Sequence, residues 1–288
     1  MFWVLMGLAT ATATSISDAT GKYVLKRDNP YFFAWLQAML LVPFAIPVVW
    51  YFGVGWLPIE FWQVLMVMMP FEIASYILYL KAIKSSPLSL TVPFLSFTPV
   101  LTLFFAFLIL KEIPSLSGII GVVLVTLGAY TLNIGALPKG FWGPIQAAKR
   151  EKGSLYMIQA ALIFGLTSTL ARRAVLLSNP FIFPALYVLS LAILFTIYAW
   201  LRHREELSPS RPIQWKFYLF LVPINLLNHL TFNLGMMMTK AAYLISLKRM
   251  SLIMGVLAGK YVFHETHIRE RLIGALLMFL GVLLIILG

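Results

Sequence analysis

The sequence contains no cysteine and only ten acidic residues in 288. The first absence excludes disulfide scaffolds, thiol catalysis and cysteine-based zinc or iron–sulfur sites. The second belongs to a wider scarcity: charged residues make up 11% of the chain, whereas soluble proteins carry about a quarter. Motifs of several enzyme classes are missing too. There is no GxxxxGK[ST] phosphate loop, which argues against ATP-driven transport by this chain alone, and no GxSxG elbow. HETH at 264–267 lacks the second histidine four residues on that a helical zinc site needs. The four histidines are too scattered to argue for haem. No catalytic constellation remains, so no enzyme, metal or cofactor is expected.

What the chain has is apolar length. Hydrophobic residues make up 61% and the mean hydropathy is +0.90. Windows of about 20 apolar residues fall near 2–21, 31–52, 59–82, 87–110, 115–134, 154–176, 181–201, 215–239, 242–263 and 268–287. The N-terminus has no basic n-region or cleavage motif and reads as the first span rather than a signal peptide. The net charge of +12 could suggest nucleic acid. The basic residues lie mostly between apolar runs, however, so the partners expected are the lipid bilayer and a small molecule, not nucleic acid.

The two halves repeat. Adding 153 to Lys111–Glu112 gives His264–Glu265, and the same shift superposes Gly121 on Gly274 and Gly128 on Gly281. Asn29–Pro30 matches Asn179–Pro180 at a shift of 150. Residues 1–137 and 154–288 then form two five-span repeats joined by a basic linker, 138–153. An odd number of spans per half requires the halves to lie in opposite orientations. The expected fold is an all-α integral membrane protein of ten transmembrane helices in two inverted five-helix repeats, a monomer with an oligomer left open. Sixteen basic residues fall after odd-numbered spans and four (Lys111, Arg172, Arg173, Lys240) on the other side. The positive-inside rule makes the sixteen cytoplasmic, which puts both termini outside the cell membrane.

Several residues could carry chemistry. Asn225, Asn228, His229, Phe232 and Asn233 share one face of span 8. They serve either as interhelical glue or as cavity lining. The 153 shift places Glu72, Ser75, Tyr76 and Tyr79 on the matching face of span 3. Glu72 lies mid-span, where an ionised carboxylate is costly. It either carries a proton, which would make it a coupling residue together with His229, or is neutralised by Lys248 or Arg249. Asp18 is near the end of span 1, where solvation is easy and no special role is required. Pro93 and Pro99 interrupt span 4, which then reads as a cavity wall that bends. Lys248 and Arg249 lie inside span 9, about 100° apart on a helix. Arg249 aligns with polar Ser96 and Lys248 with Leu95, so Arg249 is expected to face the cavity and Lys248 to snorkel or pair with Glu72. The candidate binding set is therefore Glu72, Tyr76, Tyr79, Ser96, Asn225, Asn228, His229, Asn233 and Arg249.

Residues 82–132, AIKSSPLSLTVPFLSFTPVLTLFFAFLILKEIPSLSGIIGVVLVTLGAYTL, combine a proline-containing small-residue helix, an aliphatic run, a glutamate at the turn and a glycine-containing last span. The second half ends in the same pattern. This is similar to the end of an EamA domain of the drug/metabolite transporter superfamily, twice over. The resemblance implies a ten-helix secondary transporter with a central cavity between the halves. It also implies cytoplasmic termini, the reverse of the charge count. A small-metabolite transporter working by alternating access is expected, with an amino acid or similar zwitterion or anion favoured and proton coupling possible. A multidrug or cation exporter, or a non-transporting accessory or lipid-handling subunit, are the other readings.

Overall fold

The computed structural model describes residues 1–85, 94–134, 152–202, 212–254 and 268–287. These form ten helices and no strand: α1 Phe2–Leu25, α2 Pro30–Phe52, α3 Ile59–Ser85, α4 Thr98–Leu110, α5 Leu116–Ile134, α6 Lys152–Leu176, α7 Ile182–Arg202, α8 Trp215–Met238, α9 Ala241–Lys248 and α10 Ile268–Leu287. Four of them, α2, α3, α6 and α8, are long and apolar enough to cross a membrane on their own. Their outward side chains include exposed apolar groups, Phe44, Met66, Leu162 and Leu219 among them, as lipid contact requires.

Local signals set the helix starts. Asn29 Oδ1 accepts from Tyr31 N at 2.9 Å, and Pro30 occupies the first turn of α2, where its missing N–H costs nothing. In the second half Asn179 Oδ1 accepts from Phe181 N at 2.9 Å and Ile182 N at 2.8 Å. The Asn-Pro pair found twice in the sequence is thus a helix cap used twice.

Packing follows a two-fold scheme that exchanges α1–α5 with α6–α10. The pairs α3–α6 and α1–α8 are equivalent under it, as are α4–α6 and α9–α1, while α2–α7, α4–α9 and α5–α10 map onto themselves. The α5–α10 contact is the tightest. A Cβ at Gly121 would lie 2.6 Å from the Gly281 carbonyl oxygen, and one at Gly128 would lie 2.6 Å from that of Gly274. Only glycine permits that approach. Exchanging 121 with 274 and 128 with 281 turns one contact into the other, and the pairing shows that the two equivalent helices run antiparallel. Pro70 of α3 and Pro223 of α8 sit inside their helices at the same spacing of 153.

The helices α4 and α9 are shorter than the spans expected for them. A turn at 96–97 precedes α4, and α9 gives way to a turn at 249–250. These breaks are again 153 residues apart. Pro99 lies in the first turn of α4 rather than inside a continuous helix. It cannot donate to Leu95 O, and the Thr98 hydroxyl does so instead at 2.7 Å. Pro93 lies outside the described residues, as do Glu265 and most of the basic linker.

Candidate functional site

The axis of the α1–α8 pairing is a ladder of polar contacts. The Thr10 and Thr231 hydroxyls are 2.8 Å apart, Asn228 Nδ2 donates to Thr14 Oγ1 at 2.8 Å, and Ser17 Oγ donates to Asn225 Oδ1 at 3.1 Å. Residues 10, 14 and 17 meet 231, 228 and 225 because α1 and α8 run antiparallel with one polar face each. Glue and lining turn out not to be alternatives: Asn225 and Asn228 hold α1 and also face a cavity of about 230 Å³. That volume lies below the roughly 300–1,000 Å³ of pockets for drug-sized ligands.

The cavity is bounded by α1, α2, α3, α6, α7, α8, Leu95 before α4, and the end of α9 with the turn that follows it. It contains two carboxylates, each with a tyrosine donor. Tyr79 OH donates to Asp18 Oδ1 at 2.7 Å, and Tyr187 OH donates to Glu72 Oε1 at 2.8 Å. The Tyr187 ring packs on His229 with centroids 5.6 Å apart. Two cations line the same space, Lys248 and Arg249. The Lys248 ammonium sits 4.9 Å over the Phe232 ring, a cation–π contact. Arg249 is 5% exposed and its Nε has no hydrogen-bond partner. Among the described residues none of these four charges forms an ion pair with another.

Of the nine residues expected at the site, Glu72, Tyr76, Tyr79, Asn225, Asn228, His229 and Arg249 line this cavity. Ser96 is fully buried beside the α4 break and is not part of the lining. Asn233 donates to the backbone oxygen of its own helix at His229, at 2.7 Å, and also lies off the lining. The expectation that Arg249 faces the cavity while Lys248 snorkels or pairs with Glu72 is corrected: Lys248 lines the cavity too, without an ion pair to Glu72. The backbone stays helical through Arg249, whose φ is −68° and whose N–H bonds the Ile245 carbonyl at 3.1 Å, so the two side chains diverge by about 100°, yet both border the cavity. Asp18 is also corrected: it faces the cavity instead of bulk water.

Sequence reasoning passed over Gln37 and Tyr187, which also line the site. For Gln37 a signal existed, since it is the one amide in the apolar helix α2. Among the described residues no group of three or more histidine, aspartate or glutamate side chains could hold a metal ion.

One end of the helical assembly is stitched by a second cluster. Arg172 Nε on α6 pairs with Glu112 Oε1, and its Nη1 donates to the Met236 carbonyl near the end of α8. The other Glu112 oxygen accepts from Ala241 N at 3.2 Å, where α9 begins. Lys111, in a left-handed conformation at φ 56°, turns the chain so that Glu112 can make these contacts. Four helices from both halves thus meet on one carboxylate and one guanidinium.

A family model described as the EamA-like transporter family matches residues 1–134 and again 151–287. No curated protein matches the chain. Among solved structures, one described only as the crystal structure of a protein shares the fold with a TM-score of 0.74 at 18% identity. It covers 98% of this chain and 95% of its own.

Proposed function

The chain belongs to the EamA-like transporter family, and from that premise we propose that it is a secondary transporter of a small zwitterionic metabolite, an amino acid or a compound of like charge. Family membership makes it a multi-pass membrane transporter of the drug/metabolite superfamily. The substrate class rests on one observation: Asp18 and Glu72 face the same small cavity as Lys248 and Arg249, with no ion pair among them. Opposite charges kept apart in a confined, low-dielectric space are best neutralised by a ligand that carries both signs. Arg249 takes the carboxylate, for which its planar fork is suited, with Lys248 beside it. Asp18 takes the ammonium.

Glu72 and His229 form the coupling element in this reading. Tyr187 lies between them, donating to Glu72 and packing at a tilt against the His229 ring, so a charge gained or lost at either group is felt by the other across one ring. The chain works by alternating access between residues 1–137 and 154–288, linked by 138–153. Antiparallel α5 and α10 and the paired breaks at 96–97 and 249–250 support inverted repeats of this kind. Broken helices beside a cavity offer hinges, and Pro99 with Pro93 upstream marks the one in the first half. The cell membrane is the proposed location, with the sixteen basic residues cytoplasmic. On the sparse side two of the four cations are already engaged, Arg172 with Glu112 and Lys240 with the Ile113 carbonyl, which strengthens the charge bias.

Counterflow in proteoliposomes tests the coupling. Wild-type protein is expected to exchange labelled zwitterion and to accelerate net uptake under an imposed pH gradient. Glu72→Gln is expected to keep the exchange and lose the acceleration. A Glu72→Gln protein that answers the gradient as wild type does removes Glu72 from the coupling step.

A further inference from the structure

We propose that Gln37 forms a side-chain subsite that selects zwitterions bearing a neutral hydrogen-bond acceptor, a hydroxyl or carbonyl, over purely aliphatic ones. The inference rests on the zwitterion reading and adds a third point of recognition to it. Gln37 lines the cavity from α2 and is 4% exposed. Its oxygen is committed: Asn225 Nδ2 donates to Gln37 Oε1 at 2.9 Å. The amide of Asn225 is oriented in turn by Ser17 Oγ, which donates to Asn225 Oδ1 at 3.1 Å. The chain from Ser17 through Asn225 therefore ends at Gln37 Nε2, a buried donor with no partner among the described residues.

A buried amide N–H without an acceptor is costly, and the lone amide of an apolar helix is the kind that faces a binding space rather than lipid. Gln37 is not helix glue through Nε2, which bonds to nothing among the described residues. Around it the lining is apolar, with Ala34, Ala38 and Leu41 of α2 and Val188 and Leu191 of α7. An aliphatic side chain fits there but leaves Nε2 unpaired. A side chain of the same shape carrying an acceptor satisfies it. Sites built around a fixed donor discriminate strongly against analogues that lack the acceptor, since the donor is then left desolvated and unpaired.

The test uses isosteric pairs in proteoliposome counterflow with the full-length protein: threonine against valine, and asparagine against leucine. Wild type is expected to favour the acceptor-bearing member by roughly tenfold or more. Gln37→Met, close in volume and without a donor, is expected to bring that ratio to about one, with Gln37→Leu as a second variant. Thermal unfolding of each variant confirms that it is folded. A wild-type ratio near one overturns the subsite while leaving the zwitterion reading intact, as does a ratio unchanged in a folded Gln37→Met protein. Failure of wild type to exchange any zwitterion of the panel overturns the underlying reading itself.

Discussion

Arg249→Ala is expected to weaken binding of carboxylate-bearing substrates by about ten- to a hundredfold, the loss of about 1.5–3 kcal/mol that a charge-assisted hydrogen bond contributes. Arg249 is buried at the α9 break with Nε unpartnered and borders the cavity. Its Nε is buried without a protein partner, and among the described residues no carboxylate pairs with the guanidinium, so in this reading the charge is held for a ligand. Arg249→Lys is expected to restore little, because an ammonium lacks the fork that meets both carboxylate oxygens. Competition of unlabelled zwitterion and of its decarboxylated amine against labelled uptake separates the possibilities. Affinity for the zwitterion should fall in Arg249→Ala while affinity for the amine does not. An unaltered ratio between the two makes Arg249 structural.

The second large effect is one of stability. Glu112→Gln and Arg172→Gln are each expected to destabilise the protein, up to the roughly 3–5 kcal/mol seen when one member of a buried ion pair is removed. Both side chains are 12% exposed, and each has more than one partner. Removing Glu112 strands Arg172 on the Met236 carbonyl and uncaps Ala241; removing Arg172 strands Glu112. The double variant is expected to be less destabilised than the two losses summed, since neither charge is then left alone. Unfolding of the four proteins in detergent checks this. Strictly additive losses would mean that Glu112 and Arg172 act separately, and that the stitch across α4, α6, α8 and α9 is not one unit.

Much of this architecture was legible in the sequence because a bilayer constrains it. Ten apolar windows, an odd number per half and a spacing of 153 are properties of chain chemistry, and the same spacing reappears in the glycine contacts of α5 and α10 and in the two helix breaks. The face of α8 was legible from period alone. Other features depend on tertiary contact. Asp18 looked solvated because its depth along α1 was all that could be read; what keeps it in the cavity is Tyr79 on another helix. Tyr187 has no periodic polar neighbour and is found only through Glu72. Gln37 was a visible anomaly, but a single residue has no period to point with. Lys248 was misassigned because a 100° divergence was taken to leave only one of two neighbours at the cavity, whereas the lining takes in both. The turn at 249–250 has its own signal only in hindsight, through the proline of the equivalent segment in the other half.

The central claim is that this one small cavity binds a single zwitterion, its carboxylate at Arg249 and its ammonium at Asp18. Isothermal titration of the purified protein with an amino acid, the corresponding amine and the corresponding carboxylic acid addresses it directly. The amino acid is expected to bind at least about tenfold more tightly than either half-molecule, since each half forfeits one charge-assisted contact. An amine or an acid that binds as tightly as the intact amino acid would contradict the account.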